Sequence, residues 1–389
     1  MSASSAGLRI EEISTAEDFA RLAEPWDELV RSMRRPSPFL LHAWLDEWWR
    51  HNRDGVRPVV HAAFDDGRLV GGLPLCLFER RGLQVLSFQG GSQSALADMV
   101  LDRAAPASIA KALADRAESS GQDLAVLYGL PASSRLVEAV GPDRVHLVER
   151  SEAPVLELDG GWEEVYRAKT TSKRRNQNAR KRKQLAATGR LETQVAREPG
   201  ELEAALEEAF ELHEIRWRGR PDGSGFATPA GRQFQRAALR RLAELGIPRI
   251  VVLRLGGRAI AFHYFLLFER RMYVNRLAFD PAYARHSPGL LNTLDAIEAA
   301  AAEGATMVEF LGGAERYKLE LADRLEPLYE AIGLAPTLRG RLAVAGIVNA
   351  IRVRKWAKRS QRLRRFYYEG LAPARIAAGR VLRRGGSKR

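Results

Sequence analysis

The sequence contains a single cysteine, Cys76, among 389 residues. A disulfide needs two thiols and a thiolate zinc site needs several, so the sequence excludes both and favours a reducing compartment. The seven histidines are scattered without a pair at metal-ligand spacing, and we expect no metal. Apolar runs such as 261–268 and 342–348 are far shorter than the ~20 residues that span a bilayer. Residues 1–18 lack an apolar stretch behind a basic start, so we expect a cytoplasmic protein without a secretory signal.

Acidic residues are nearly absent from the C-terminal end of the chain. Residues 336–389 hold 16 of the 61 Lys and Arg but only one of the 48 acids, Glu369, which gives this segment a net charge of +15. Residues 1–335 carry a net charge of −2, so the formal charge of +13 comes from the tail. A nucleic-acid-binding domain usually spreads its basic residues over a folded face. We therefore expect no specific nucleic-acid partner.

The length of the chain exceeds what one ordinary core accommodates, and it predicts two domains plus an appendage. In the first half, apolar runs on either side of an Asp65-Asp66-Gly67 turn indicate a β-hairpin. Trp44 and Trp48 are spaced to share one helical face. The strands of this half are expected at 57–64, 68–78, 83–88 and 124–127, with a helix near 107–119. We expect an N-terminal half at 1–158, a second half at 159–335 and a basic helical tail at 336–389.

The second half changes from helical to strand periodicity along its length. Apolar residues recurring every three to four positions predict helices, and period-two runs separated by short turns predict a meander of strands. The helices are expected at 201–217, 231–245 and 290–303, and the strands at 249–255, 259–268, 272–278 and 306–311. The last strand, helix and strand should form a right-handed parallel crossover, with a ligand at the carboxyl ends of its strands.

The start of the helix at 290–303 has features of an anion site. Ser287 is expected to cap it, Pro288 to occupy its first position, and Arg285 and His286 to stand directly before it. Its unpaired amides and positive dipole end, with Gly289 and Leu290 beside them, would form a pyrophosphate cradle. An ordinary capped helix with Arg285 and His286 facing water is the alternative.

Several short segments form a recognisable set: Ser172-Lys-Arg-Arg-Asn176, His286-Ser-Pro-Gly-Leu-Leu291, Ile297-Glu298 and Val308-Glu-Phe-Leu-Gly-Gly-Ala-Glu-Arg-Tyr-Lys318, together with Trp48-Trp49 and Gly72-Leu-Pro-Leu75. Over roughly residues 10 to 335, the chain resembles GNAT-superfamily proteins of the CelD-like cellulose-biosynthesis type. That type is similar to the FemABX aminoacyltransferases. The resemblance implies an α/β (α+β) fold of two tandem GNAT-like halves, each a mixed, mostly antiparallel sheet flanked by helices. It also implies acetyl-CoA or another acyl-CoA in one half and an acceptor groove between the halves.

The acceptor class implied by the resemblance is a cell-envelope sugar or polysaccharide precursor, acylated on nitrogen or oxygen. Two other functions remain open. One is a FemABX-like aminoacyltransferase in which the basic run 167–183 holds aminoacyl-tRNA. The other is a non-catalytic GNAT-like protein of exopolysaccharide assembly.

Acyl transfer needs an oxyanion donor, a base for the acceptor and a proton source for the leaving thiolate. Backbone amides near Leu277 and Ala278 are the candidate oxyanion donors. Glu309, the one charge in an apolar strand, is the candidate base, and a salt bridge to Arg276 or Lys318 is the equally weighted alternative. The remaining candidate catalytic residues are His263, which could instead be a satisfied core histidine, and Tyr317, which could protonate the thiolate or only pack.

Basic and amide side chains supply the candidate acceptor contacts. The candidate substrate-binding residues are Lys173, Arg174, Arg175, Asn176, Asn275 and Lys318. The run that contains the first four could also be a solvated helix face. In the tail, residues 341–365 mix apolar residues with a dense block of Arg and Lys, which suits peripheral binding to an anionic membrane surface. A disordered basic tail, with or without nonspecific RNA binding, is the alternative interpretation of 341–365.

Overall fold

The computed structural model describes residues 7–52, 55–219, 224–313 and 315–359. The α-helices are α1 (Ala16–Ala20), α2 (Ala23–Ser32), α3 (His42–His51), α4 (Ala107–Ala117), α5 (Arg135–Val140), α6 (Trp162–Lys169), α7 (Ser172–Ala186), α8 (Pro199–Trp217), α9 (Pro229–Glu244), α10 (Pro288–Ala302), α11 (Arg316–Leu321) and α12 (Leu338–Arg359). Single 3-10 turns lie at Pro38–Leu40, Gly91–Gln93 and Gly225–Ala227, and a longer one at Pro281–His286.

The strands join in one mixed sheet. They are β1 (Arg9–Ile13), β2 (Val56–Asp65), β3 (Arg68–Arg80), β4 (Leu83–Phe88), β5 (Val100–Leu101), β6 (Leu124–Pro131), β7 (Val145–Glu157), β8 (Leu191–Ala196), β9 (Pro248–Leu255), β10 (Arg258–Phe268), β11 (Arg271–Phe279), β12 (Met307–Glu309) and β13 (Arg324–Gly333). Their order is β1-β2-β3-β4-β6-β13-β7-β12-β11-β10-β9-β8, and β5 pairs with β3. Pairing is antiparallel except at β4 with β6 and at β11 with β12. The predicted α/β fold with mostly antiparallel sheets is therefore confirmed.

The two halves exchange strands at the centre of the sheet. β7 follows β6 and α5 in the chain, yet it pairs with β12 of the second half. β13, which closes the second half, pairs instead with β6 of the first half and with β7. Each half is thus completed by a strand from the other. The boundary expected at residue 158 lies directly after β7 and stays a prediction, since the sheet runs across it.

Helices cover both faces of the sheet in the first half. Gly71 and Gly72 are adjacent on β3, so they point to opposite faces. A Cβ on Gly71 would come within 3.0 Å of Leu113 on α4, and a Cβ on Gly72 would come within 2.3 Å of the Trp26 ring on α2. The glycines therefore let a helix approach closely on each side.

The second half repeats this arrangement. Tyr264 and Tyr273 belong to a buried cluster with α8 and α9, whereas Phe265 and Met272 pack with α10 on the opposite face. On the α8/α9 face the halves meet, where α3 packs against α9. The rings of Trp44 and Phe234 make an edge-to-face contact there, with 4.9 Å between centroids.

Helix α12 lies against the first half. Val344, Ile347, Val348 and Ile351 pack on apolar side chains of β4, β6, β7 and β13. Its first turn is fixed because Arg339 donates to both oxygens of Asp123, at 2.7 and 2.6 Å. The predicted helical tail is thus confirmed as far as Arg359, and residues 360–365 of the expected membrane segment lie outside the described residues. In the described part of the chain, no helix is both long and apolar enough to cross a bilayer.

Candidate functional site

The second half opens between β11 and β12. These strands pair only over Arg271–Tyr273 and Met307–Glu309, after which β11 continues to Phe279. The chain leaving β12 adopts a left-handed conformation at Leu311, with φ 55°, so the parallel ladder does not extend. Asn275 is an extra residue in β11, because Tyr264 faces Arg276 while Phe265 faces Val274. A bulge at a point where neighbouring strands part is typical of active sites.

The hydrogen-bonding pattern of β11 turns the amides of Leu277 and Ala278, the two expected oxyanion donors, in opposite directions. The amide of Asp280 donates to Ile260, so this residue's backbone faces β10. Alternation along an antiparallel pair then turns the Ala278 amide towards β10 and the Leu277 amide towards the opposite edge, where the cleft opens. Leu277 remains a candidate donor. The expected role of Ala278 as an oxyanion donor does not fit this alternation, which assigns its amide to the ladder with β10.

The start of α10 has the expected position but a different cap. Ser287 is left-handed, with φ 53° and ψ 51°, and its side chain does not cap the helix. Its hydroxyl instead accepts a hydrogen bond from Lys181 Nζ of α7 at 2.7 Å. Pro288 has no N–H, so the first amides facing outward are those of Gly289 and Leu290. The predicted serine cap is therefore wrong, and a lysine from a distant helix lies at the cradle.

Of the other residues expected to form the cradle, Arg285 faces solvent and His286 is buried. The Nε2 of His286 accepts from Arg285 Nε at 2.8 Å. A Cβ on Gly289 would lie 2.8 Å from Cδ1 of Phe279. Gly289 is thus required for packing of α10 on the end of β11. Lys181, Arg285 and the outward amides can together neutralise a diphosphate.

Glu309 connects the two halves. Its side chain is fully buried, and Arg35 of the first half donates to both of its oxygens, at 3.3 and 2.6 Å. Arg271 donates to it at 3.0 Å, and Arg35 also forms an ion pair of 2.7 Å with Glu326. Both carboxylate oxygens are therefore occupied by arginines, which removes the support for Glu309 as the base. The alternative of a salt bridge fits, although the partners are neither Arg276 nor Lys318.

His263 is enclosed in the sheet. Burial, with a smaller contribution from the charge of Lys318, lowers the pKa of His263 to about 3. Neither ring nitrogen has a hydrogen-bond partner among the described residues. A neutral imidazole with this pKa is a weak base, and a buried core histidine is the reading that fits.

Tyr317 and Lys318 lie on α11. Burial and the charge of Glu315 raise the pKa of Tyr317, so its hydroxyl keeps its proton at neutral pH. Lys318 is buried, and its Nζ donates to Gly312 O at 3.3 Å and pairs with Glu315 at 2.8 Å. Lys318 thus holds the turn after β12, and this position does not fit the expected acceptor contact.

The basic run forms the α6–α7 segment, and part of it is structural. Arg174 pairs with Glu320 of α11, Arg182 pairs with Asp295 of α10, and Arg175 donates to the carbonyl of Thr170. Lys173, Arg180 and Lys183 are exposed on the helix, as is Asn176. The run is therefore neither a simple solvated face nor a single ligand site, because its inner residues attach α7 to α10 and α11.

A second group of polar residues lies on the α8/α9 face, and among them only Asn275 was a candidate site residue from the sequence. His213 of α8 is buried, its ring lies 5.3 Å from that of Phe226, and its Nε2 is 3.3 Å from Ser224 Oγ. The Arg276 guanidinium lies 6.0 Å from the same Phe226 ring. Asn275 is also buried, and neither of its side-chain polar atoms is bonded within the described residues. A histidine among the apolar positions of a helix, just before a Pro/Gly-rich break, was the available signal.

A central pocket of about 640 Å³ lies where the two halves meet. Leu328 of β13 pairs with Pro131 at the end of β6 and with Ser151 on β7. Gly312, just past β12, approaches Ser151 from the opposite direction. The carboxyl ends of β6 and β12 therefore converge on this pocket. Its lining includes Trp48, Phe78, Phe88, Tyr128, Tyr329, Arg80, Arg150 and Gly312.

Comparison with known proteins identifies the second half. Residues 172–319 match the family described as an acetyltransferase (GNAT) domain. This range includes the β11/β12 cleft, the cradle and α7. The chain therefore contains a GNAT-type acetyltransferase domain and is an acyltransferase, for which an acyl-CoA co-substrate is indicated. No curated protein matches the chain.

Several solved structures share the whole two-half fold. FemX is 12% identical with a TM-score of 0.56, covering 83% of this chain and 96% of FemX. L-PGS from Bacillus licheniformis is 14% identical with a TM-score of 0.53, covering 87% of this chain and 98% of that one. A tandem GNAT protein from the clavulanic acid biosynthesis pathway is 14% identical with a TM-score of 0.50, covering 85% and 99%. At these identities the similarity is one of fold alone.

Proposed function

We propose that this chain transfers an acyl group from acyl-CoA to an amino or hydroxyl group of a cell-envelope sugar or polysaccharide precursor. The thioester would lie in the β11/β12 cleft with its diphosphate at the start of α10, and the acceptor would enter the central pocket. One observation carries the proposal: the carboxyl ends of β6 and β12, one from each half, converge on one pocket of about 640 Å³. A donor and an acceptor held there would meet without a large movement of the chain.

The lining of the pocket supports a sugar acceptor with an anionic group. Aromatic rings such as Trp48, Phe88 and Tyr128 offer apolar faces for a sugar ring, while Arg80 and Arg150 can bind phosphate or carboxylate oxygens in pairs. A pocket of this size suits a small-molecule acceptor, whereas a polymer would need an open groove.

The proposed chemistry uses few groups of the chain. The acceptor nitrogen or oxygen attacks the thioester carbonyl, and the Leu277 amide donates to the oxygen that becomes negative. The carbon–sulfur bond then breaks, coenzyme A leaves as the thiolate, and the acceptor loses its proton. His213 replaces Glu309 and His263 as our candidate proton acceptor, because its ring and the Arg276 guanidinium both lie beside Phe226 on the α8/α9 face.

Coenzyme A binding tests the donor site. Lys181→Met should weaken CoA binding about tenfold, since one charge-assisted contact to phosphate is lost. Lys183→Met is the matched control, because Lys183 is exposed on the same helix. Calorimetric titration of both variants and the parent chain gives the comparison. Equal affinity of the two variants, or no CoA binding by the parent, would remove the donor site.

An aminoacyl-tRNA donor is the competing function, favoured by the exposed Lys173, Arg180 and Lys183 on α7. Thiol release from acetyl-CoA over a panel of amino sugars and nucleotide-linked sugars separates the two. Transfer from charged tRNA without thiol release would establish the competitor. CoA binding without turnover of any acceptor would instead favour the non-catalytic assembly role.

A further inference from the structure

Helix α12 has two apolar faces, and only one is used by the fold. Val344 is 7% exposed and lies among the residues packed against the first half. Four large side chains point outward instead: Leu338 is 74% exposed, Leu342 67%, Val353 61% and Trp356 64%. Successive members recur at intervals that keep them on one side of a helix, and the exposed Ala345 and Asn349 fill the interval between Leu342 and Val353. We call these four large residues the outer stripe.

Positive charge surrounds the outer stripe. Residues 338–359 contain no Asp or Glu, and Arg341, Arg352 and Arg354 are exposed along the helix. The residues that follow, 360–389, add nine further Lys or Arg against the single acid Glu369. A surface that is both apolar and basic matches the boundary between anionic headgroups and lipid chains.

An apolar groove runs beside the stripe. It has a volume of about 480 Å³ and lies between α12 and the segment from α5 to β7. Leu147 and Val145 line one wall, while Val348 and Ile351 line the other. Arg352 lies at the edge of the groove and directly precedes Val353 of the outer stripe. The groove and the stripe thus form one continuous surface with a guanidinium at their junction.

We propose that α12 binds an anionic phospholipid surface through the outer stripe. The stripe lies at the level between headgroups and acyl chains, the arginines contact lipid phosphates, and the groove accepts part of one acyl chain. Nucleic acid would satisfy the arginines but would leave Leu342, Val353 and Trp356 in water. This proposal goes beyond acyl transfer and does not depend on it.

Vesicle binding by the full chain tests the proposal. Vesicles of 30% phosphatidylglycerol in phosphatidylcholine should sediment the parent chain, and pure phosphatidylcholine vesicles should bind it far less. Leu342→Ser with Trp356→Ser should raise the lipid concentration needed for half-binding about tenfold or more, because apolar burial is lost. Arg341→Gln with Arg352→Gln should have a similar effect that disappears at high salt. Leu245→Ser is the control, since Leu245 is 45% exposed and lies directly after α9.

Three results would overturn the proposal. The parent chain could fail to bind the anionic vesicles. The Leu342/Trp356 double variant could bind them as tightly as the parent, which would leave only the charge of residues 360–389. Finally, the parent could bind polyuridylate in preference to vesicles, with Leu342 and Trp356 making no difference. Circular dichroism of each variant checks that α12 is retained.

Discussion

Replacement of Glu309 by Gln removes a charge that joins the two halves of the molecule. The variant leaves Arg35, which is 8% exposed, and Arg271, which is 25% exposed, facing a neutral amide. Breaking a buried ion pair by removing one partner costs about 3–5 kcal/mol, because the remaining charge is left desolvated. We expect the free energy of unfolding to fall by roughly that amount.

The control is Glu207→Gln. Arg236 also donates to both oxygens of Glu207, at 2.5 and 2.7 Å, but this carboxylate is half exposed. An exposed pair contributes about 0–1 kcal/mol, so this variant should unfold almost like the parent. Urea denaturation followed by fluorescence compares the three proteins. The midpoints can be compared directly if the slope of unfolding free energy against urea concentration is the same in all three.

Turnover provides the second readout of Glu309→Gln. If the residue is structural, the folded variant should turn over at nearly the parental rate under conditions where it stays folded. A loss of roughly 10²-fold in turnover with little loss of stability is what removal of a general base gives, and it would refute our reasoning.

Two further predictions concern buried histidine and the start of α12. The pKa of His263 is lowered to about 3, below its ordinary 6.5, so its contribution to stability is complete above pH 6.5 and is lost as the pH falls from there towards 3. In the His263→Phe variant, the unfolding free energy should therefore fall less steeply with decreasing pH, by about 1.4 kcal/mol per pH unit in that window. Urea denaturation at a series of pH values measures this, and the same pH dependence in variant and parent would contradict the prediction. Asp123→Asn should detach the first turn of α12, so amides of residues 338–342 should exchange faster by mass spectrometry, whereas Asp143→Asn, elsewhere on the same half, should leave them unchanged.

Local periodicity predicted most helices and strands of this fold. The parallel β11–α10–β12 unit followed from a strand, a helix beginning at a proline, and a second strand. The caps were less accurate, because Ser287 accepts from Lys181, a residue 106 positions earlier. Local spacing cannot report such a contact.

Pairing between distant segments was the part that the sequence could not supply. Glu309 was identified as the unusual charge of its strand, and its expected partners were Arg276 and Lys318, both close in the chain. Its main partner is Arg35, 274 residues away. The same reason explains His213, which has an ordinary helical spacing and becomes notable only when Phe226 and Arg276 are beside it.

The exchange of β7 and β13 makes neither half a self-sufficient folding unit. A fragment ending at residue 158 would contain β7 without its neighbours β12 and β13, and would leave the edge of β6 bare. The complementary fragment would carry β13 with no β6 to join. Separately expressed halves should therefore be recovered only together, and natural recombination could not replace one half of this protein without the other.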